Sequence, residues 1–156
     1  MKTLRDTDYM QQALALAAEA QQAGEVPVGA LLVQAGEVIG RGHNRPIATH
    51  DPTAHAEIVA LRAAATRQQS YRLAGSTLYV TLEPCLMCAA AIVHARVARL
   101  VFGAWDPRAG AAGSMLDAFR LPGLNHQVDV FGGVLAEPCS VLLREFFERR
   151  REHDRS

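Results

Sequence analysis

His55-Ala56-Glu57 and Pro84-Cys85-Leu86-Met87-Cys88 are the two stretches of this chain whose residue types and spacing suit chemistry. Cysteines three apart on a helix lie on one face, so both sulfurs reach a single ion at ~2.3 Å. Pro84 fits a helix start, where free N–H groups and the positive end of the helix dipole favour thiolate, the form a metal binds. His55 makes a third ligand. Three protein ligands leave a fourth tetrahedral position to water, the arrangement of catalytic rather than structural zinc. Two thiolates neutralise the formal charge of Zn²⁺, so water there is acidified less than in a three-histidine site, where its pKa falls to ~7. A proton acceptor is therefore needed. Glu57, two residues along and so on a different side of a helix from His55, suits that role better than a fourth ligand position.

The elements that must hold these residues are legible in outline. Met10, Ala13, Leu14, Ala17 and Ala20 recur at helical spacing after Asp8, which with Gln11 resembles a capping box, and Gly24 supplies a stop. A first helix is expected over about 8–23. Residues 27–34 and 37–43 read as strands around a tight Ala35-Gly36 turn, a hairpin. Asp51 with Pro52 reads as the cap and first residue of a helix running to about Arg67, with His55 and Glu57 in its first turns. A short strand over 77–81 precedes the helix opened by Pro84, and 99–102 and 128–132 read as further strands. A final helix is expected from about 138 to 150 or 151, with a flexible tail after it; Val141, Leu142, Phe146 and Arg149 lie on its neighbouring turns. Strands alternating with helices after an opening hairpin predict an α/β domain with helices on both faces of its sheet.

Length and composition bound what this domain does. No linker, repeat or low-complexity tract divides the 156 residues, so one domain spanning 1–156 is expected, burying roughly 70% of the unfolded chain's surface. Hydrophobic residues make up 49% and charged residues 21%, a globular rather than a disordered composition. Sixteen basic side chains balance sixteen acidic ones, which excludes a chain-wide field for nucleic acid and leaves only a local patch. The charged start MKTLRDTDYM and the absence of any run near the ~20 apolar residues of a membrane span predict a cytoplasmic protein. Three cysteines, two of them three apart, suit a metal clip rather than a disulfide framework.

Other residues read more plainly. Cys139 fits a small buried side chain better than a fourth ligand. His43, His50, His94, His126 and His153 lack ligand-like pairing. Trp105 reads either as a platform for a stacked base or as a loop anchor. Arg149, Arg150 and Arg151 read either as a phosphate grip or as a solvated helix end, since Glu145, Glu148, Glu152 and Asp154 nearly cancel their charge.

The order His-x-Glu followed by Pro-Cys-x-x-Cys is the known signature of zinc nucleobase deaminases. Cys-x-x-Cys alone also occurs in redox motifs and zinc knuckles, but here both halves occur together, each opening a helix. From Tyr9 to Arg151 the chain further resembles the bacterial tRNA-specific adenosine deaminases, which convert the anticodon wobble adenosine to inosine. The resemblance rests on Glu25-Val-Pro-Val-Gly-Ala, His43-Asn44-Arg45-Pro46, Asp51-Pro-Thr-Ala-His-Ala-Glu57, Phe102-Gly-Ala-Trp-Asp-Pro-Arg-Ala-Gly-Ala-Ala-Gly-Ser114, Asn125-His126 and Phe146-Phe147.

That resemblance implies a cytidine-deaminase-like three-layer α/β/α sandwich with a five-stranded mixed sheet. It also implies one Zn²⁺ per subunit, a homodimer, and a tRNA anticodon stem-loop as partner. By the same resemblance Asn44 would hydrogen-bond the target nucleoside, Val28 would line its pocket, and Asp106 would meet a neighbouring ribose. Asn125 and the final helix would lie along the anticodon loop, and Arg108 stands where family members more often carry Lys. Two other functions use the same motif: deamination of a free base or nucleotide such as guanine or cytosine, and a non-catalytic RNA-binding module whose zinc would need a fourth protein ligand.

Overall fold

The computed structural model describes residues 2–155, with side chains described for 5–154. Helix α1, Lys2–Gln22, lays Met10, Ala13, Ala17 and Ala20 against the sheet with no exposure. It starts six residues before the expected Asp8, which is an exposed mid-helix residue. The early start has a tertiary cause. Asp6 pairs with Arg99 at 3.0 Å and accepts a 2.7 Å hydrogen bond from the Tyr79 hydroxyl, tying the first turns to the sheet.

Strands β1, Gly29–Gln34, and β2, Glu37–His43, form the expected hairpin, antiparallel with a bulge between Leu32 and Val33. Ala35 and Gly36 both have positive φ, 52° and 77°, as a two-residue turn with both central residues left-handed requires. Gly29 lies directly under α1: a Cβ there would stand 2.1 Å from the Ala13 carbonyl oxygen and 2.6 Å from the Ala17 nitrogen. Gly29→Ala is therefore expected to cost about 1–3 kcal/mol, the usual penalty for overpacking. The check is a lower urea midpoint at unchanged slope.

The helix expected from Asp51 is corrected. A short helix α2, Pro46–Thr49, comes first, and α3, Ala56–Gln68, begins only after His55. Asp51 instead closes a local turn, its Oδ1 accepting from the Thr53 amide at 2.8 Å and the Thr53 hydroxyl at 2.7 Å. Strand β3, Thr77–Leu82, leads to α4, Leu86–His94, and β4, Arg99–Ala104, follows. After a 3-10 turn at Ala118–Arg120 come the edge strand β5, Asp129–Gly132, and α5, Ala136–Arg155, which continues through residues 152–155 of the expected tail, Ser156 lying outside the described residues.

The sheet order is β2-β1-β3-β4-β5, antiparallel across β1/β2 and β1/β3, parallel across β3/β4 and β4/β5. Alternation along the strands sends side chains to two cores. Ala30, Leu32, Leu78, Val80, Leu100 and Phe102 pack with α3 and α4; Leu31, Val33, Tyr79 and Val101 pack with α1 and the start of α5. The result is the expected three-layer sandwich around a five-stranded mixed sheet. No described helix is long and apolar enough to cross a membrane.

Candidate metal centre and active site

Helices α3 and α4 begin at the same place, and the ligands stand at their first residues. His55 is the N-cap of α3 and Cys85 the N-cap of α4, both with extended backbone; Cys88 is the third residue of α4. Pro84 therefore precedes the cap instead of opening the helix. His55 Nδ1 lies 3.6 Å from Cys85 Sγ and 3.6 Å from Cys88 Sγ, and the three ligand atoms are mutually within 4.8 Å. Zinc bonds of about 2.0–2.1 Å to nitrogen and 2.3 Å to sulfur, at a tetrahedral angle, separate the two donors by about 3.5 Å. The donor set and its spacing thus fit zinc. Cys88 has no exposure while His55 and Cys85 are half-buried, so the centre is sealed on the protein side and open on the other.

Glu57, the second residue of α3, is 4% exposed and does not join the three-ligand group. Burial pushes its carboxyl up to about 7. The two sulfurs diverge. A hydrogen bond from Cys88 holds Cys85 down at about 4, while that bond and burial push the Cys88 thiol up. His55 is raised by its hydrogen bond with Cys85. A metal takes the place of the proton shared by such a pair, because thiolate is its ligand. Cys139 cannot serve as a fourth ligand. It is buried in the other core, against Gly103, where desolvation raises its thiol to about 11.

Beside this centre, Asn44 Oδ1 accepts from the Ala56 amide at 2.8 Å, pinning the first turn of α3 and leaving Nδ2 as a donor. The Asn44 amide donates to the Val28 carbonyl at 3.1 Å, so Val28, Asn44 and the start of α3 form one continuous wall. Asp106 and Arg108 lie in the loop after β4. With Val26, Leu82, Trp105 and Phe147 they line a groove of about 740 Å³ between that loop and α5. Asp106 Oδ1 accepts from the amides of Arg108 and Ala109, at 3.1 and 3.2 Å. Asn125 is exposed before β5 and is not among the residues lining the groove.

Of the two readings of Trp105, the loop anchor is the one its contacts describe. Its ring packs edge-on against Phe102 and over Gly133, and 55% of the residue remains exposed beside the groove. His43 and His126 sit within hydrogen-bond distance of the Asn44 and Val97 carbonyls, while His50 and His94 are exposed. Arg149, Arg150 and Arg151 are exposed, with Arg150 over the Phe146 ring. The sequence reading passed over Glu83. This buried carboxylate accepts from the amides of Asp106, Ala112 and Ser114 and from the Ser114 hydroxyl. Burial raises it, but those hydrogen bonds outweigh the effect and hold it below its usual value.

A mixed sheet whose flanking helices start on a His-Cys-Cys cluster defines a zinc-dependent deaminase. Accordingly, residues 4–104 match the cytidine and deoxycytidylate deaminase zinc-binding region. The chain belongs to the family of tRNA-specific adenosine deaminases. It is 55% identical to the tRNA-specific adenosine deaminase of Haemophilus influenzae over 94% of this chain and 86% of that relative. A tRNA:A34 deaminase, solved in a study of A-to-I editing at the wobble position of transfer RNA, superposes with TM-score 0.85. It is 46% identical over 88% of this chain and 99% of that one. The guanine deaminase of Nitrosomonas europaea has the same fold at TM-score 0.75 and 25% identity, over 90% of this chain and 83% of that one.

Proposed function

We propose that this protein hydrolyses adenosine to inosine at the wobble position of a tRNA anticodon loop, acting as a single cytoplasmic deaminase domain that pairs as a homodimer. The observation that carries the chemistry is the convergence of His55, Cys85 and Cys88 within 4.8 Å, with buried Glu57 beside them. The near-full-length identity to tRNA-specific adenosine deaminases supports the substrate.

His55, Cys85 and Cys88 would hold one zinc per subunit, which when bound supplies the Lewis acidity that makes water a nucleophile near neutral pH. Glu57 takes the proton that water gives up as its oxygen adds to C6 of adenine, and delivers it to N1. It then takes the second proton, from the hydroxyl now on C6, and gives it to the amine as the C6–N bond breaks, so that one water enters and one ammonia leaves. A carboxyl lifted to about 7 both accepts and returns a proton near neutrality. Asn44 offers its Nδ2 to the nucleoside, its orientation fixed by the Ala56 amide. Val28 closes the wall behind the base. Asp106, Arg108 and Asn125 meet neighbouring nucleotides, with Arg108 supplying charge to a phosphate.

An unpaired loop nucleotide suits this site because it leaves its stack at lower cost than a paired one. The groove beside Asp106 and Arg108 is lined by none of the residues that hold the metal or the reacting base, and it offers neighbouring nucleotides a place that a free base would not use. The deciding experiment compares a synthetic anticodon hairpin with the same hairpin changed at the wobble base, and with free guanine and cytosine. Inosine in the first alone is expected. Ammonia from the free bases without inosine in the hairpin would refute the RNA substrate while leaving the deaminase chemistry standing.

A further inference from the structure

Glu83 is 2% exposed and has four donors directed at its two carboxylate oxygens. Oε1 accepts from the Asp106 amide at 3.0 Å and from the Ser114 hydroxyl; Oε2 accepts from the amides of Ala112, at 2.9 Å, and Ser114, at 3.1 Å. Among the described residues no Arg or Lys pairs with it, so hydrogen bonds alone offset the burial of this charge. The backbone is drawn in as well. The Ala111 amide donates to the Pro84 carbonyl at 2.8 Å, and a Cβ on Gly110 would stand 2.3 Å from the Glu83 carboxyl carbon. The loop between β4 and the 3-10 turn is thus wrapped around one side chain.

That side chain lies two residues before Cys85, on the extended stretch joining β3 to α4. We propose that Glu83 is a positioning residue: it holds residues 105–114 in the shape that receives the RNA and sets that loop in register with the metal ligand Cys85. This role rests on the proposed function, through the reading of Asp106 and Arg108 as nucleotide contacts. A carboxylate fits best, because three of the four partners are backbone amides that can only donate and each oxygen meets at least one of them. In either orientation an amide would turn its NH2 group toward at least one backbone N–H.

The test uses Glu83→Gln and the milder Ser114→Ala, which keeps three of the four contacts and carries the same readouts if the first variant does not fold. Trp105 is the only tryptophan and lies next to Asp106, so its fluorescence reports the order of the loop without a label. In protein without RNA, Glu83→Gln is expected to lower Trp105 anisotropy and raise its quenching by acrylamide, at full zinc content. On the anticodon hairpin, KM is expected to rise about tenfold with kcat within about threefold, and Ser114→Ala to move KM by about two- to threefold. An unchanged Trp105 signal would refute the clamp whatever the substrate. A freed Trp105 with unaltered KM would refute the substrate role, and loss of zinc would make Glu83 a support of the metal centre instead. Wild-type protein inert on the hairpin would overturn the proposed function, and this role with it, without any variant being needed.

Discussion

Glu57→Ala is expected to keep one zinc per chain and lose deamination by about 10²- to 10⁴-fold, the usual worth of general acid and base catalysis. Retention of metal follows from geometry. The three ligand atoms close on one another within 4.8 Å without Glu57, and His55 and Cys85 are held by the caps of two separate helices. Loss of turnover follows because no other described carboxylate shares this environment: of the other buried ones, Glu25 is bound to the amides of Ile47 and Ala48 in α2 and Glu83 to those of the loop after β4. Glu57→Gln separates proton transfer from shape, since it fills nearly the same volume without accepting a proton. Zinc content by atomic absorption and single-turnover inosine formation are the two measurements. A metal-loaded Glu57→Ala protein turning over at the wild-type rate would remove Glu57 from the mechanism.

Cys85→Ala and Cys88→Ala are expected to lose zinc and, with it, all activity. Altering a residue that only hydrogen-bonds a metal ligand typically costs ~10- to 100-fold in affinity, and removing a thiolate ligand should exceed that. Two donors then remain, one a neutral imidazole. Cys88→Ala also leaves a small gap in a position with no exposure, so its melting temperature should fall further than that of Cys85→Ala. Cys139→Ala is the control. That thiol lies in the core on the opposite face of the sheet, and its removal should leave zinc at one per chain. Full occupancy in either Cys85→Ala or Cys88→Ala would reject the ligand set.

What the sequence revealed and concealed divides by the range of the interactions. His55, Cys85 and Cys88 were legible because metal ligation restricts residue type and local spacing together, and Glu57 stood out by its place beside His55. The hairpin was legible because Ala35-Gly36 sits between two short apolar strands. The start of α1 was not, because Asp6 is fixed by Tyr79 and Arg99, far along the chain. Asp51 gave a cap-like signal whose hydrogen bonds go to Thr53, a turn with the same local grammar as a helix start. Glu83 is silent in the sequence, since its partners lie 23 to 31 residues away. Val28 and Asn44 came from family resemblance, and the fold joins them to α3 through backbone contacts that no spacing rule foresees.

Strands β3 and β4 are parallel neighbours, with Leu82 opposite Ala104, and so discharge their chains at the same rim of the sheet. From one comes the segment that carries Cys85 and Cys88; from the other, the segment that carries Asp106 and Arg108. Glu83, on the first, is the latch that keeps the second in step with it. A transplanted span after Ala104 should therefore keep its shape only if it brings amides to the places of Asp106, Ala112 and Ser114.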